Sequence, residues 1–337
     1  MKKNEYKSNK SRKTDHQQSN KAQKGDPDKR SHKKPVRNAR GEHADSFANP
    51  AGQNSAQGGD RRPARASSGA RGKSAKSEAR KIDRLSLFGM HAVREAWLNP
   101  LRQIDGLYIT ESMMKDFEPH IHAAKKAGLK RPEAVLVERA RLNVSFPENT
   151  VHQGIALRTV PLEEHTTFDV INTGEERIKS SPDGKGRSLI MILDQVTDPH
   201  NIGAVIRSAS AFGITGMIVQ KKHTPLLQGI VGKTACGGLD HLLIGHETNL
   251  SRSIDQLKGH GYYVIGLDER GEESLEDFVP PQRCAFVLGA EGPGMRRLTK
   301  ESCDQMLKLP TGGAVGSVNV SNAAAICLYA LSTHKGS

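Results

Sequence analysis

Three segments of the C-terminal half combine glycine with polar side chains, and each follows an apolar run. Their sequences are DPHNIGAVIRSA (198–209), LGAEGPGM (288–295) and LPTGGAVGSVNVSNAAAI (309–326). Glycine allows the backbone to approach a ligand closely, and Arg, Asn, Ser and Glu side chains can orient a polar group or stabilise developing negative charge. The three segments therefore predict one ligand-binding site assembled from loops that are distant in sequence.

The first segment places Asn201 at the start of a predicted helix and Arg207 about two turns inside it. A guanidinium offers a fixed fork of donors that suits a phosphate or an incipient oxyanion. The alternative is an ordinary surface arginine, and only the two glycine-rich segments favour a functional role.

The other two segments differ in what they offer a ligand. The second segment holds three glycines, but it lacks the G-x-G-x-x-G spacing of a dinucleotide site, and a purely structural turn is the alternative. In the third segment, Ser317 and Asn319 are the functional candidates because few other side chains accompany them. Ser321 is predicted to be the N-cap of the helix that follows.

A parallel sheet is predicted to position these segments. From Ser188 onward, the apolar runs SLIMILD, GMIVQ, HLLIG, YYVIGLD, CAFVLG and QMLKLP alternate with helical patterns at 201–212, 226–237, 251–258 and 319–331. Continuous apolar strands indicate an α/β domain whose mostly parallel sheet is covered by helices on both faces. Ligands of such sheets bind beyond the carboxyl ends of the strands, where all three segments lie.

Residues 85–160 predict a smaller α/β domain. A short strand turns at Gly89 into a helix, and strand-like runs at 104–110, 134–138 and 151–160 flank a second helix at 114–128. Residues 161–187 lose apolar periodicity and gain Gly, Asp, Glu and Ser, which predicts a linker. The second domain is expected to occupy residues 188–337.

The first 84 residues carry most of the basic excess, with 23 Lys and Arg against 9 Asp and Glu. Tyr6 and Phe47 are the only aromatic residues there, so the segment is predicted to be a disordered basic tail. A polycation attracts polyanions by counterion release, which favours RNA as a partner without sequence choice. A solubilising extension is the alternative.

Other classes of protein are disfavoured by the sequence. The N-terminus has no apolar stretch typical of a signal peptide, and no window approaches the ~18 apolar residues of a membrane span. We therefore expect a cytoplasmic protein with no membrane partner. The four cysteines are widely spaced, without a C-x-x-C pair or histidines at zinc-finger spacing, so no metal site is expected.

The three segments resemble, in order, the three motifs of the SpoU/TrmH family, the knotted SPOUT RNA ribose 2′-O-methyltransferases. LFGMHAVREA and VHQGIAL also resemble the ends of the substrate-binding domain, similar to ribosomal protein L30e, in the branch that modifies guanosine of 23S ribosomal RNA. The resemblance covers residues 85–331 and leaves only the tail outside it.

The resemblance implies a deep trefoil knot in the C-terminal domain, S-adenosylmethionine as cofactor, and a homodimer whose substrate site lies near the subunit interface. The cofactor-binding residues that it implies are Leu288, Gly289, Gly292, Leu309, Thr311 and Val318. The implied catalytic edge consists of Asn201, Arg207, Glu291, Ser317 and Asn319.

The implied reaction is attack of a ribose 2′-oxygen on the sulfonium methyl group. The family mechanism often treats the arginine as a base, but a guanidinium keeps its proton, so Arg207 more easily anchors a phosphate or stabilises the oxyanion. Glu291 either accepts a hydrogen bond from a neighbouring Arg or Asn or caps a helix near Met295.

Two departures from the family pattern bear on the substrate. Gly316 stands where relatives often carry a second serine, and Thr311-Gly312 replaces a more apolar pair, which affects the choice of base. 23S ribosomal RNA is the expected substrate. Transfer RNA is the alternative substrate, and a non-catalytic RNA-binding ribosome-assembly factor is the alternative function.

Overall fold

The computed structural model describes residues 80–183, 185–314 and 316–333. Residues 1–79 of the predicted basic tail therefore lie outside the described residues. The remainder folds around two sheets, a four-stranded sheet near the start and a seven-stranded sheet in the C-terminal half.

The small domain has a mixed sheet of order β1-β4-β2-β3. Strand β2 pairs in parallel with β3 and antiparallel with β4, which in turn pairs antiparallel with β1. Trp97 and Phe117 are fully buried beneath this sheet and meet edge to face. The elements are β1 (Leu87–Phe88), α1 (Met90–Leu98), β2 (Ile104–Ile109), α2 (Glu111–Lys126), β3 (Ala134–Leu136), α3 (Arg139–Asn143) and β4 (Ile155–Thr159).

The predicted linker at 161–187 contains a helix, α4 (Thr167–Lys179), which the loss of apolar periodicity did not predict. Thr166 and Asp169 form a reciprocal capping box at its start, and Val170 and Ile171 are fully buried against the large sheet. Periodicity missed this helix because its buried stripe is short and includes Gly174, which packs closely on Ser188 and Tyr262.

The large domain contains the predicted parallel sheet, with the order β7-β6-β5-β10-β8-β11-β9 and every neighbouring pair parallel. Six strands match the apolar runs, and the two-residue edge strand β9 is additional. The strands are β5 (Ser188–Asp194), β6 (Gly216–Gln220), β7 (Leu243–Glu247), β8 (Tyr263–Leu267), β9 (Glu273–Ser274), β10 (Arg283–Gly289) and β11 (Gln305–Lys308).

Helices cover both faces of this sheet. Helices α5 and α9 contribute to the apolar cluster on one face, and α4 and α7 contribute to the cluster on the other. The predicted helix at 226–237 is shorter, because Gly229 and Gly237 adopt positive φ on either side of it. The helices are α5 (Pro199–Ala211), α6 (Ile230–Thr234), α7 (Leu250–Gly259), α8 (Arg297–Ser302) and α9 (Val320–Thr333).

Candidate active site

A cavity of about 310 Å³ opens at the carboxyl ends of β8, β10 and β11. Its walls come from the loop after β8, the glycine-rich loop after β10, the loop after β11 and the start of α9. This is the edge where parallel α/β sheets bind ligands. All six residues predicted to bind a cofactor line the cavity: Leu288, Gly289, Gly292, Leu309, Thr311 and Val318.

The loop after β10 folds back on itself so tightly that Gly289 cannot carry a side chain. A Cβ built there would lie 2.3 Å from the carbonyl carbon of Gly294 and from the backbone nitrogen of Met295. The Gly294 N–H donates to the Ala290 carbonyl at 3.0 Å and closes the turn. The glycines therefore leave backbone, rather than side chains, facing the cavity.

Asn319 joins the loop after β11 to the loop after β10. Its Oδ1 accepts hydrogen bonds from the Ser321 N–H at 2.9 Å and the Ser321 hydroxyl at 2.6 Å, so Asn319, and not Ser321 as predicted, caps α9. The Nδ2 of Asn319 donates to Glu291 Oε2 across 3.5 Å. Ser317 and Glu291 both line the cavity, so three of the five predicted catalytic residues meet here.

Two acidic side chains that sequence reasoning missed support the loops. Asp194 is fully buried at the end of β5 and accepts hydrogen bonds from the backbone N–H of Arg296 at 2.9 Å and from its Nε at 2.8 Å. This pair ties the strand before the first segment to the loop after β10. The sequence signal that could have identified Asp194 was an acidic residue at the end of an apolar strand.

The second missed side chain, Asp268, lines the cavity beside Lys300. Its carboxylate accepts hydrogen bonds from Lys300 Nζ and, at 3.1 Å, from the Arg270 N–H. Burial by itself raises the pKa of Asp268, but these donors outweigh it and hold the pKa below the ordinary value. Asp268 is therefore ionised at neutral pH and fixes the loop after β8.

Asn201 and Arg207 lie apart from the other three predicted catalytic residues. Asp198 caps α5, Asn201 is half-buried in its first turn, and Arg207 is exposed about 9 Å further along the helix axis. Neither residue lines the cavity. Within the described ranges, neither side chain has a hydrogen bond or an ion pair, so the Arg207 guanidinium is free to meet a ligand.

The remaining chemistry of the described residues is limited. They contain no cluster of potential metal ligands, and none of the helices among them has the length and apolar character needed to cross a membrane. Burial raises the pKa of the Cys284, Cys303 and Cys327 thiols to about 12. These thiols are therefore protonated and poor nucleophiles at neutral pH.

Both domains match models of known families. Residues 188–329 match the SpoU rRNA Methylase family, and residues 86–165 match the family described as RNA 2′-O ribose methyltransferase substrate binding. The two matched regions coincide with the large and small domains and leave α4 between them.

Relatives that align over most of the chain agree with these matches. A 23S rRNA (guanosine-2′-O-)-methyltransferase RlmB of Bordetella pertussis is 35% identical over 248 residues, which cover 72% of this chain and 94% of the relative. A Staphylococcus haemolyticus protein assigned to the TrmH family of tRNA/rRNA methyltransferases is 33% identical over 249 residues, or 74% of this chain and 95% of its own.

Solved structures share the fold. The SpoU methyltransferase AviRb of Streptomyces viridochromogenes, in complex with AdoMet, superimposes with a TM-score of 0.57 at 21% identity over 73% of this chain and 88% of its own. An AdoMet-bound rRNA methyltransferase of Sinorhizobium meliloti gives a TM-score of 0.57 at 18% identity, over 73% of this chain and 85% of its own.

Proposed function

We propose the function of this chain from one premise: the chain belongs to the SpoU rRNA methylase family. It is an RNA methyltransferase that transfers the methyl group of S-adenosylmethionine to a ribose 2′-hydroxyl. We propose guanosine of 23S ribosomal RNA as the target, because the B. pertussis relative bears that name and the match covers 94% of its length. The observation that carries the proposal is the convergence of two glycine-rich loops on one cavity, with Asn319 joined to Glu291 on the cavity wall.

The cavity suits S-adenosylmethionine by size and by chemistry. Its volume is in the range of small-molecule pockets, and backbone from Leu288, Gly289, Leu309 and Val318 would hold the cofactor. Carboxylates of Asp268 and Glu291 on the walls suit a ligand that carries positive charge at its sulfonium and amino groups. When bound, the cofactor supplies an activated methyl group with a neutral leaving group.

The chain must supply positioning and charge stabilisation, because a ribose hydroxyl is a poor nucleophile at neutral pH. We assign to Arg207 the anchoring of the phosphate beside the target ribose, or the stabilisation of the developing oxyanion. The guanidinium keeps its proton, so it acts through its fork of donors and not as a base.

Glu291, Ser317 and Asn319 are proposed to orient the target nucleotide. Asn319 is already fixed by its bonds to Ser321 and Glu291, which limits the entropy lost when a substrate docks. The Ser317 hydroxyl lies on the cavity wall and is available to a ribose or base edge. Asn201 is proposed to touch the ribose or to shape the start of α5.

We propose a homodimer, with the site completed at the subunit interface. Arg207 does not line the cavity of its own chain, and helix α9 carries exposed apolar side chains at Ile326 (48% exposed) and Tyr329 (61% exposed). Tyr329 contacts Phe212 at the end of α5, so this apolar surface continues toward the helix of Arg207. Pairing of these surfaces would bring the Arg207 of one protomer toward the cavity of its partner.

The finer features of the fold are also proposed from family membership. We propose that the chain after β10 forms a deep trefoil knot; its course supports this, because β11 lies beyond β8 while α9 returns to pack against α5. We also propose that residues 86–165 form an L30e-like RNA-binding domain. The basic excess of residues 1–84 is proposed to add electrostatic affinity for RNA.

The test is transfer of labelled methyl from S-adenosylmethionine to purified 23S ribosomal RNA and, separately, to bulk transfer RNA, followed by digestion to nucleosides. Label in 2′-O-methylguanosine from ribosomal RNA is the expected result. Label confined to transfer RNA would mean that this family member modifies transfer RNA and not 23S ribosomal RNA. Isolated ribosomal precursor particles are tested as a third substrate. If the protein binds RNA but transfers label to none of the three substrates, the result would contradict catalysis and favour a ribosome-assembly factor.

A further inference from the structure

A second cavity, of about 360 Å³, lies at the seam between the small and large domains. Asn99 and Leu101 line it from the small domain, and residues 161–165 line it from the segment before α4. The large domain contributes the loop after β6 (221–228) and residues 239–246, which lead into β7. None of the residues proposed for methyl transfer lines this seam cavity.

Buried polar contacts fix the seam. Arg102 Nε and Asp240 Oδ1 lie 2.7 Å apart, with only 3% and 2% of their side chains exposed, and the Asn99 amide donates to the same carboxylate oxygen at 2.9 Å. His241 Nε2 lies 2.8 Å from Glu95 Oε2 on the same side. The two walls of the seam cavity are therefore held together in the free protein.

The most exposed side chains on the two walls of the seam cavity are apolar. Leu101 from the small domain is 85% exposed, and Leu226 from the large domain is 75% exposed. Pro161 and Pro225 extend these two walls. Large apolar side chains grouped around a cavity, rather than scattered singly, are typical of a binding site.

Three imidazoles, from His165, His241 and His246, add flat surfaces and polar edges to the seam cavity. The Nδ1 of His246 is buried, and it has no hydrogen-bond partner among the described residues. Burial lowers the pKa of His246, so at neutral pH its ring is neutral and offers one donor and one acceptor.

The rim of the seam cavity carries charges of both signs, because Glu163, Glu164 and Lys221 all line it. Lys221 pairs with Glu164 at 2.6 Å. A planar ligand with an apolar face and a hydrogen-bonding edge would satisfy the walls and the imidazoles together. An unpaired nucleotide has this chemistry, because single-stranded bases pack on flat side chains and present their edges to polar groups.

We propose that the seam cavity binds an unpaired nucleobase of the RNA substrate, away from the nucleotide that is methylated. The inference rests on the proposed function, since it requires RNA to contact both domains at once. The seam is the place where the domain matched to RNA substrate binding meets the methylase domain. Occupation of the cavity would set the register of the RNA relative to the cofactor cavity.

The experiment compares full-length wild type with Leu226→Ala and Leu101→Ala, using filter binding of labelled 23S ribosomal RNA at several salt concentrations. Each variant is expected to bind at least fivefold more weakly, because apolar surface that would pack on the base is removed. The slope of log Kd against log salt is expected to stay unchanged, because no phosphate contact is removed. Val279→Ala, a change at an exposed apolar residue that lines neither cavity, is the matched control.

The two leucines lie on different domains and are mostly exposed, so both variants are expected to fold and to bind S-adenosylmethionine like wild type. RNA affinity within twofold of wild type for both would overturn the inference and leave the cavity to another ligand. A shallower salt slope would also overturn it, since that result indicates a lost phosphate contact. Methyl transfer by wild type, measured in parallel, separates these outcomes from failure of the proposed function.

Discussion

The two sides of the candidate active site, one formed by loops and one by helix α5, are built differently, although each follows a strand of the same parallel sheet. The loops after β10 and β11 surround a cavity with backbone, and hydrogen bonds such as that between Asn319 and Glu291 hold them in place. Helix α5 instead presents Arg207, an exposed side chain with no partner within the described ranges. If the two sides act as proposed, the first determines cofactor affinity and Arg207 determines turnover, so the two quantities should be separable by substitution.

The largest expected effect is on the side of α5. Arg207→Lys keeps the positive charge but loses the planar fork of donors, so methyl transfer should fall about a hundredfold, comparable to the loss of one oxyanion-stabilising donor. Affinity for S-adenosylmethionine should stay at the wild-type value. Single-turnover methyl transfer and calorimetric titration of the cofactor measure the two quantities.

Arg252→Lys is the control for this variant, because Arg252 is an exposed helical arginine on α7, away from the cavity. It should leave both quantities unchanged. Near-normal turnover by Arg207→Lys would show that charge alone suffices, and a lower cofactor affinity would show that the two sides are not separable.

The next effect is expected on the cavity side. In Gly289→Ala the new Cβ would overlap the backbone of Gly294 and Met295, so the loop after β10 must move. Affinity for S-adenosylmethionine should fall at least tenfold, because a strained backbone costs ~1–3 kcal/mol and displaces the groups facing the cavity. RNA binding should be largely retained, since the small domain and the seam cavity, where most RNA contacts are proposed, lie outside this loop.

The control for the cavity side is Gly259→Ala at the end of α7, where a Cβ meets nothing within 4 Å. It should leave cofactor affinity unchanged. Wild-type cofactor affinity in Gly289→Ala would mean that this loop does not hold the cofactor. Loss of RNA binding as well would mean that the cavity and the RNA-binding surfaces are coupled.

The sequence predicted the cavity side better than the side of α5. All six cofactor candidates line one cavity because glycine-rich turns after apolar strands are local signals, and parallel strands bring their carboxyl ends together. The distance of Arg207 from that cavity was not predictable, because it depends on how α5 packs across the sheet. Long-range pairs such as Asp194 with Arg296 also leave no periodic trace in the sequence.

Local propensity failed where tertiary packing decided the structure. Helix α4 has few apolar residues, yet its capping box and its contacts with the sheet are sufficient to order it. Helix α6 is shorter than its apolar content suggests because two flanking glycines adopt positive φ. Both helices lie between domains or strands, whereas the six apolar runs of the large domain all form strands and the two-residue edge strand β9 was missed.

The smallest predicted effect concerns Asp268 in the wall of the cavity. Asp268→Asn removes the charge that holds Lys300 and the loop after β8. Both side chains are partly exposed, so cofactor affinity should fall only about two- to fivefold, as expected for an ion pair of ~0.5–1 kcal/mol. Asp304→Asn breaks a similar pair with Lys258 outside the cavity and should leave cofactor affinity unchanged.

The pH dependence of cofactor affinity distinguishes the effect of the charge of Asp268 from the effect of its shape. Because the pKa of Asp268 in the folded protein lies below its ordinary value, its ion pair is fully present above the unfolded pKa and is lost only as the pH falls through the folded pKa. The wild-type to Asn ratio of cofactor affinities should therefore stay constant from about pH 8 to pH 5. A ratio that shrinks within this range would mean that Asp268 titrates there and that the loop after β8 is not held by a permanent charge. A constant ratio would mean that Asp268 keeps its charge over this range and holds the loop after β8 with a permanent ion pair.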